Sequence, residues 1–392
     1  MFPEITVSGS PFERGRAYGA ATAPLVRHSI ASYARLFASR RGLDWAASQA
    51  EARRYLPLLA DLTPDLLEEM RGIAAGSGRT LDEILALNVR TELMAGIGAG
   101  AYHSAAPAAL ARNRAAGVPE HSLEPGEVDR AASLPHTLDG ECTSAAATGP
   151  GSRNGRTLLA QTWDWQGDQR AACVMLRIHS PGKPSALTMT EAGMLAKVGL
   201  NSAGIAVGLN LLRSHADGSA IGMPVHVLLR KLLQARSFGE ARAMADLATP
   251  AGSSCITVAA ASGELVSLEL TPAGVAEVWA SEGLLAHANH CVDAGAAAGE
   301  CPLEPVSTSR ERQGRAWAML QAAAGQVDEP ILQAILTDHA DAPRCICRHP
   351  DKRVARLDRG ESICGLILDP ATGVIQVAPD VPCQVPFTPV TL

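Results

Sequence analysis

A cysteine stands at position 142, inside "LDGECTSAAATG" (residues 138–149), where a stretch dominated by Ala, Gly and Pro gives way to the strand-like run "RTLLAQTWDWQ". A thiolate attacks a carbonyl carbon well, but the thiol must first lose its proton to a base. Two bases are open to it. The chain has 11 histidines, which leaves room for a Cys–His pair. If instead the chain is cut just before Cys142, the new α-amino group, with a pKa of about 7.7–8.0, can take the proton near neutral pH. The plain reading is an ordinary small apolar residue entering a strand.

Other residues bear on the same chemistry. Asp164 lies between Trp163 and Trp165; a carboxylate there is either a surface-loop residue or one perturbed by aromatic surroundings. The segment "HANHC" (287–291) ends a strand-like run. His-x-x-His on a strand turns its rings to opposite faces, so a metal pair is a poor reading. Asn289 as an amide donor to an oxyanion is a better one, beside the plain reading of a polar strand end. In "RCICRH" (344–349), Arg344 and Arg348 are solvated charges or, near a pocket, a bidentate grip on a carboxylate. The glycine-rich "GLNSAGIAVGLN" lacks the lysine of a phosphate loop.

These residues need a scaffold, and the chain can supply one. With 392 residues, 47% of them hydrophobic and 19% charged, it can bury a large core. The net charge of −6 is dispersed and forms no Lys/Arg block, so neither nucleic acid nor a membrane surface is an expected partner. No apolar run has the length of a membrane span, and "MFPEITVSGSPFERG" lacks a basic-then-apolar leader pattern. The nine cysteines are odd in number and irregular in spacing, which points to reduced thiols and a cytoplasmic protein. Cys345 and Cys347 are too close for a CxxC motif, and no four ligands fall at a recognised zinc spacing; no metal is expected.

The first hundred residues read as helices. "APLVRHSIASYARLF" sets Leu25, Val26, Ile30, Tyr33 and Phe37 on one face; "TPDLLEEMRGIAAGSG" has Thr63 as N-cap and stops at Gly76 or Gly78; Thr80 and Glu83 form a capping box. Residues 96–139 read as a surface linker or, alternatively, as one short Ala-rich helix around Ala108–Ala116 between loops. From 142 onward short strands dominate, with a hairpin turn at Asn201-Ser202-Ala203-Gly204, a block of two helices near 224–248, and two more near 310–339. Strands and helices in separate blocks predict layered α+β in a single domain.

In their order, several fragments resemble one family, the penicillin acyltransferase type (acyl-coenzyme A:6-aminopenicillanic acid acyltransferase), within the autoprocessing cysteine N-terminal nucleophile (Ntn) hydrolases. They are "GSPFERGRAYG" (9–19), "IAAGSGRTLDEILALNVRTEL" (73–93), "ECTS" (141–144), "QTWDW" (161–165), "EAGMLAKVGLNSAGIAVGLNLL" (191–212), "HANHC", "CICR" (345–348) and "LILDPATGVIQVAP" (366–379). The resemblance implies a precursor that cuts itself between Glu141 and Cys142 into an α chain, 1–141, and a β chain, 142–392, which stay together. It implies a four-layer αββα sandwich with two packed antiparallel sheets. It makes Cys142 the nucleophile with its own amine as base, Asp164 an active-site carboxylate and Asn289 the oxyanion stabiliser. Ser144 would stand near the nucleophile and Arg348 near the substrate pocket. The implied partners are a small-molecule acyl donor or amide, with no bound cofactor and acyl-coenzyme A as a possible co-substrate. The family's penicillin-acting enzyme has Gly directly before the cysteine, whereas Glu141 stands here, and its segment corresponding to 96–139 is shorter. A plain amide hydrolase and an uncleaved binding protein on the same scaffold are the alternatives.

Overall fold

Alternation along one strand decides how the layers stack. In β2 (Glu141–Gly149), Cys142 and Ala146 turn to one face, while Ala145 and Ala147 turn to the other and join a separate apolar cluster. β3 (Gly155–Gln166) repeats the division, with Leu159 and Trp163 on the first side and Leu158 and Ala160 on the second. A sheet buried on both faces needs continuous apolar runs, and "SAAAT" and "TLLAQTW" supply them. The computed structural model describes residues 1–95, 106–118, 141–246, 248–304, 307–351 and 359–392.

β2 and β3 belong to a six-stranded sheet in the order β11 (Leu284–His287), β2, β3, β12 (Gly360–Asp369), β13 (Val374–Ala378), β14 (Thr388–Thr391). Its inner face packs on an eight-stranded sheet. That sheet runs β1 (Glu4–Ser8), β4 (Cys173–His179), β5 (Ala186–Glu191), β6 (Val198–Asn201), β7 (Ile205–Leu211), β8 (Ser254–Ala260), β9 (Leu265–Thr271), β10 (Gly274–Trp279). Helices Ser309–Ala322 and Glu329–Leu336 cover the outer face of the smaller sheet through Ala316, Leu320, Leu332 and Ile335. Helices Pro11–Arg41 and Pro64–Ser77 pack on the larger sheet through Val26, Ile30, Phe37, Met70 and Ile73. The result is the αββα layering that the resemblance implies. One strand departs from it: β1 lies parallel to β4, Glu4 opposite Met175, in an otherwise antiparallel sheet.

Local signals hold at several points and shift at others. Thr80 and Glu83 form their capping box, and Gly204 N–H closes the 201–204 turn on Asn201 O at 3.1 Å. The first helix begins earlier than its apolar stripe, at the Ser10–Glu13 capping box, and runs through Pro24 with a kink at Thr22. Thr63 precedes its helix without a side-chain cap; its hydroxyl instead bonds Leu59 O at 3.3 Å. Gly78, at φ +67°, ends that helix. The linker reading of 96–139 gives way, where the structure describes it, to the short-helix alternative, at Ala106–Ala115. Asn113 docks that helix by accepting the Trp45 N–H at 2.7 Å and donating to Ala34 O at 3.1 Å. Residues 96–105 and 119–139 lie outside the described residues. Among the described residues, no helix is long and apolar enough to cross a membrane.

Candidate active site

Strand register builds the centre. β2 and β3 pair so that Cys142 faces Trp163 and Glu141 faces Asp164. The sequence separates Cys142 and Asp164 widely; one antiparallel ladder makes them neighbours. The Cys142 side chain is buried against the larger sheet, 3% exposed. Burial first, then the Asp164 charge, push its thiol up to about 12, against the pull of Lys197, the Asp164 backbone N–H and Arg312.

The backbone of Cys142 is clamped on both sides. Its N–H donates to Asn289 Oδ1 at 2.8 Å, and its carbonyl accepts from Arg312 Nη1 at 2.8 Å. Arg312 Nη2 also donates to Asn289 Oδ1 at 3.0 Å, and Nη1 donates to the Thr143 hydroxyl at 2.7 Å. Asn289 Nδ2 donates to Leu211 O at 3.0 Å, on the facing sheet. The Asn289 amide thus holds the Cys142 backbone through its oxygen, and one of its N–H groups is turned to the other sheet.

Asp164 is buried, and its Oδ1 accepts from the Ser362 hydroxyl at 2.6 Å. Among the described residues its Oδ2 has no hydrogen-bond partner. Burial pushes its pKa up to about 7, with Arg312 and the Ser362 bond acting in the opposite direction. This excludes the surface-loop reading of Asp164. Ser362 also accepts the Arg348 N–H at 2.9 Å, so one hydroxyl links the carboxyl to the segment that carries Arg348.

Arg348 is buried and forms an ion pair with Glu141. The Ser307 hydroxyl donates to the same carboxylate at 3.3 Å, and Arg312 Nη2 lies 3.6 Å from it. A cavity of about 120 Å³ borders this group, lined in part by Glu141, Asn289, Arg348, Leu211, Arg213 and Arg344. Ser144 lies two residues beyond Cys142 on the same face, but its hydroxyl donates to Asn210 Oδ1 at 2.6 Å and ties the two sheets together.

Both nearby histidines make other bonds. His287 directs Nε2 to Glu269 Oε1 at 2.7 Å and Nδ1 to Ala288 O at 3.0 Å, so both ring nitrogens face acceptors. Burial works against the charged ring, but Cys255 and Glu269 carry its pKa up to about 10; an imidazolium has no lone pair to offer. His290 Nδ1 meets the Ser309 hydroxyl at 2.7 Å, and that oxygen also accepts the Asn289 N–H at 2.7 Å.

Three residues escape a sequence reading. Arg312 sits in "RERQGRAWAMLQ", where every Arg looks like a solvated face; only the helical phase Ser309, Arg312, Ala316, Leu320 marks the buried stripe. Ser362 lies in β12 opposite Asp164, with nothing in the sequence to distinguish it. Lys197 is buried, pairs with Glu191 Oε2 at 2.5 Å, and sets its Nζ 3.2 Å from the Trp163 ring centroid. Burial pulls it down to about 8 despite Glu191.

The sequence matches the family described as acyl-coenzyme A:6-aminopenicillanic acid acyl-transferase over residues 152–382, a span that begins beyond Cys142. It is 28% identical over 368 residues to the acyl-coenzyme A:6-aminopenicillanic-acid-acyltransferase (40 kDa form) of Emericella nidulans, covering 93% of this chain and 89% of that one. Among solved structures it is similar to penicillin V acylase from Agrobacterium tumefaciens, at 12% identity and a TM-score of 0.39, covering 61% of this chain and 83% of that one. It is also similar to a conjugated bile acid hydrolase variant from Clostridium perfringens, at 12% identity and a TM-score of 0.40, covering 61% of this chain and 89% of that one.

Proposed function

The chain belongs to the acyl-coenzyme A:6-aminopenicillanic acid acyltransferase family, and from that premise we propose that it transfers acyl groups through Cys142 after cutting itself at the Glu141–Cys142 bond. In the first step the thiol adds to the Glu141 carbonyl carbon. The peptide nitrogen leaves as the free amine of Cys142, its proton supplied by the thiol, and water hydrolyses the resulting thioester. In turnover the new amine takes the thiol proton, the thiolate attacks the acyl carbonyl and expels the donor's amine or coenzyme A thiol with that proton, and an amine or water then displaces the thiol from the thioester. No resident cofactor is required; acyl-coenzyme A would enter as a co-substrate. Arg348 and Arg312, occupied by Glu141 in the uncut chain, would receive a substrate carboxylate once that side chain withdraws.

The observation that carries this reading is the clamp on Cys142, with N–H on Asn289 and C=O on Arg312. A structural cysteine entering a strand has no need of a buried Arg and Asn on its own backbone. With its thiol pushed to about 12, Cys142 also needs a base to react near neutral pH. A free amine at that position supplies one; both ring nitrogens of His287 face acceptors, and His290 Nδ1 is held by Ser309.

Intact mass of the purified protein tests the reading. Wild type is expected to give two chains, the second beginning at Cys142, and Cys142→Ala a single chain. Splitting of Cys142→Ala at the same bond overturns it. Activity is expected to appear with the new terminus and to fall below neutral pH, as the amine protonates and no longer accepts the thiol proton. Full activity in uncut protein would instead point to another base.

A further inference from the structure

Outside the active-site cavity, four side chains converge on one point near the protein surface. They are His339, Cys347, His349 and Cys383, whose ligand atoms all lie within 4.8 Å of one another. They come from three places: the turn after helix Glu329–Leu336, the segment before β12, and the loop between β13 and β14. His339 Nε2 and His349 Nε2 stand 3.1 Å apart, and His349 Nε2 is 3.2 Å from Cys383 Sγ. One of the four, Cys347, is anchored through its backbone. Cys347 N–H donates to Asp338 O at 3.0 Å, and its carbonyl accepts from Cys345 Sγ at 3.0 Å. The Gln384 side-chain amide lies 3.4 Å from His349 Nδ1; turned to offer its oxygen, it would accept that ring's N–H and leave Nε2 free to bind.

The donor set selects the ligand. Two imidazoles and two thiols carry no oxygen for calcium or magnesium, and nitrogen with thiolate sulfur suits zinc. Tetrahedral zinc, with Zn–N about 2.0–2.1 Å and Zn–S about 2.3 Å, sets N···N near about 3.3 Å and N···S near about 3.6 Å. The two observed separations lie within a few tenths of an ångström of those values. His339 and Cys383 are exposed and Cys347 is buried, so an ion from solvent can reach a site with a fixed floor. We propose that His339, Cys347, His349 and Cys383 form a tetrahedral zinc-class metal site.

Sequence spacing hides this site. Only Cys347 and His349 are close in the chain, and neither of the other two falls at a zinc-finger interval. The two close ligands flank Arg348, whose side chain goes instead to Glu141. A bound ion would therefore hold the backbone on which Arg348 stands. That consequence rests on the function proposed above; the binding itself does not.

The test uses the full chain, as wild type and as Cys142→Ala, so that a failure of self-cleavage cannot be mistaken for a failure of metal binding. After reduction, incubation with zinc and exhaustive dialysis, both are expected to retain one zinc ion per chain. Cobalt in its place is expected to give the visible bands of a tetrahedral ion together with a thiolate charge-transfer band. Cys383→Ser and His339→Ala alter exposed residues; both are expected to keep the wild-type circular dichroism while zinc affinity falls about 100-fold or more. The proposal is overturned by substoichiometric zinc without a thiolate–cobalt band, by wild-type affinity in Cys383→Ser, or by a Cys347–Cys383 disulfide in place of metal in the protein as isolated.

Discussion

Asp164 sits under two opposing pressures: burial resists its charge, and Arg312 and the Ser362 hydroxyl favour it. Its pKa is pushed up to about 7, while an unfolded chain holds it near about 3.9. The folded state therefore binds this proton more tightly than the unfolded state, so stability falls as pH rises between those two values. Asp164→Asn removes the loss, because its Oδ1 can still accept from Ser362. In a Cys142→Ala background, the variant is expected to gain stability relative to its parent as pH rises from 4 to 8, by no more than about 4 kcal/mol. Urea unfolding at pH 5 and pH 8 reads the difference; an equal effect at both would mean the carboxyl is not strained by burial. Residue type singles out Cys142, Asp164 and Asn289 as candidates, each beside a plain reading; what sequence spacing does not show is that one ladder and one amide hydrogen bond bring them together. Arg312 is not singled out, because a buried charge and a solvated one look alike in a helix rich in Arg, Glu and Gln. Its value lies in what it touches, and those contacts are set by tertiary packing.

Two helices show how an element can be read correctly and its packing missed. Gly15 and Gly19 of helix Pro11–Arg41 lie against Gly72 and Gly76 of helix Pro64–Ser77 with backbones in contact. A Cβ on Gly72 would stand 2.2 Å from Phe12 O and 2.8 Å from Arg16 N. From sequence, glycine reads as a helix breaker, which is why Gly76 was a candidate stop; Gly78 has the left-handed φ that ends the helix, and Gly76 is a contact surface. Strand periodicity and turn chemistry were likewise legible in β5 to β9, where pairing is largely between sequence neighbours. The parallel β1–β4 pair was not, because nothing local in either strand encodes a partner about 170 residues away. Gly72→Ala is expected to destabilise by about 3 kcal/mol or more, because two rigid backbones must separate. Gly239→Ala, in helix Phe238–Asp246 with open space around the added methyl, is expected to be neutral or to stabilise by up to about 1 kcal/mol. Thermal unfolding of the two variants checks the contrast, and a comparable loss in both would mean that close helix approach is not what fixes glycine at 72.

The position of Cys142 in the whole molecule determines what a cut there would do. The segment before it supplies β1 to the eight-stranded sheet and helices Pro11–Arg41 and Pro64–Ser77, which pack on that sheet; the segment after it supplies the other strands and helices Val225–Leu232 and Phe238–Asp246, which join the same core. The main core mixes the two without a seam: Tyr33 and Phe37 from one side, Trp163, Val174, Met189 and Leu200 from the other. Polar contacts cross as well. The Tyr33 hydroxyl donates to buried Glu191 at 2.5 Å, and Asn88 Nδ2 donates to Gly193 O at 2.9 Å. Breaking one peptide bond at the start of β2 removes none of these contacts, whereas separating the pieces would bare the apolar surface that helices Pro11–Arg41 and Pro64–Ser77 cover. The two chains of the processed protein are therefore expected to migrate together in size-exclusion chromatography at the mass of the intact chain, and to separate only in denaturant. Residues 142–392 made alone are expected to aggregate, and to become soluble when 1–141 is co-expressed. Two separate folded peaks without denaturant would show that the shared core does not hold the pieces together.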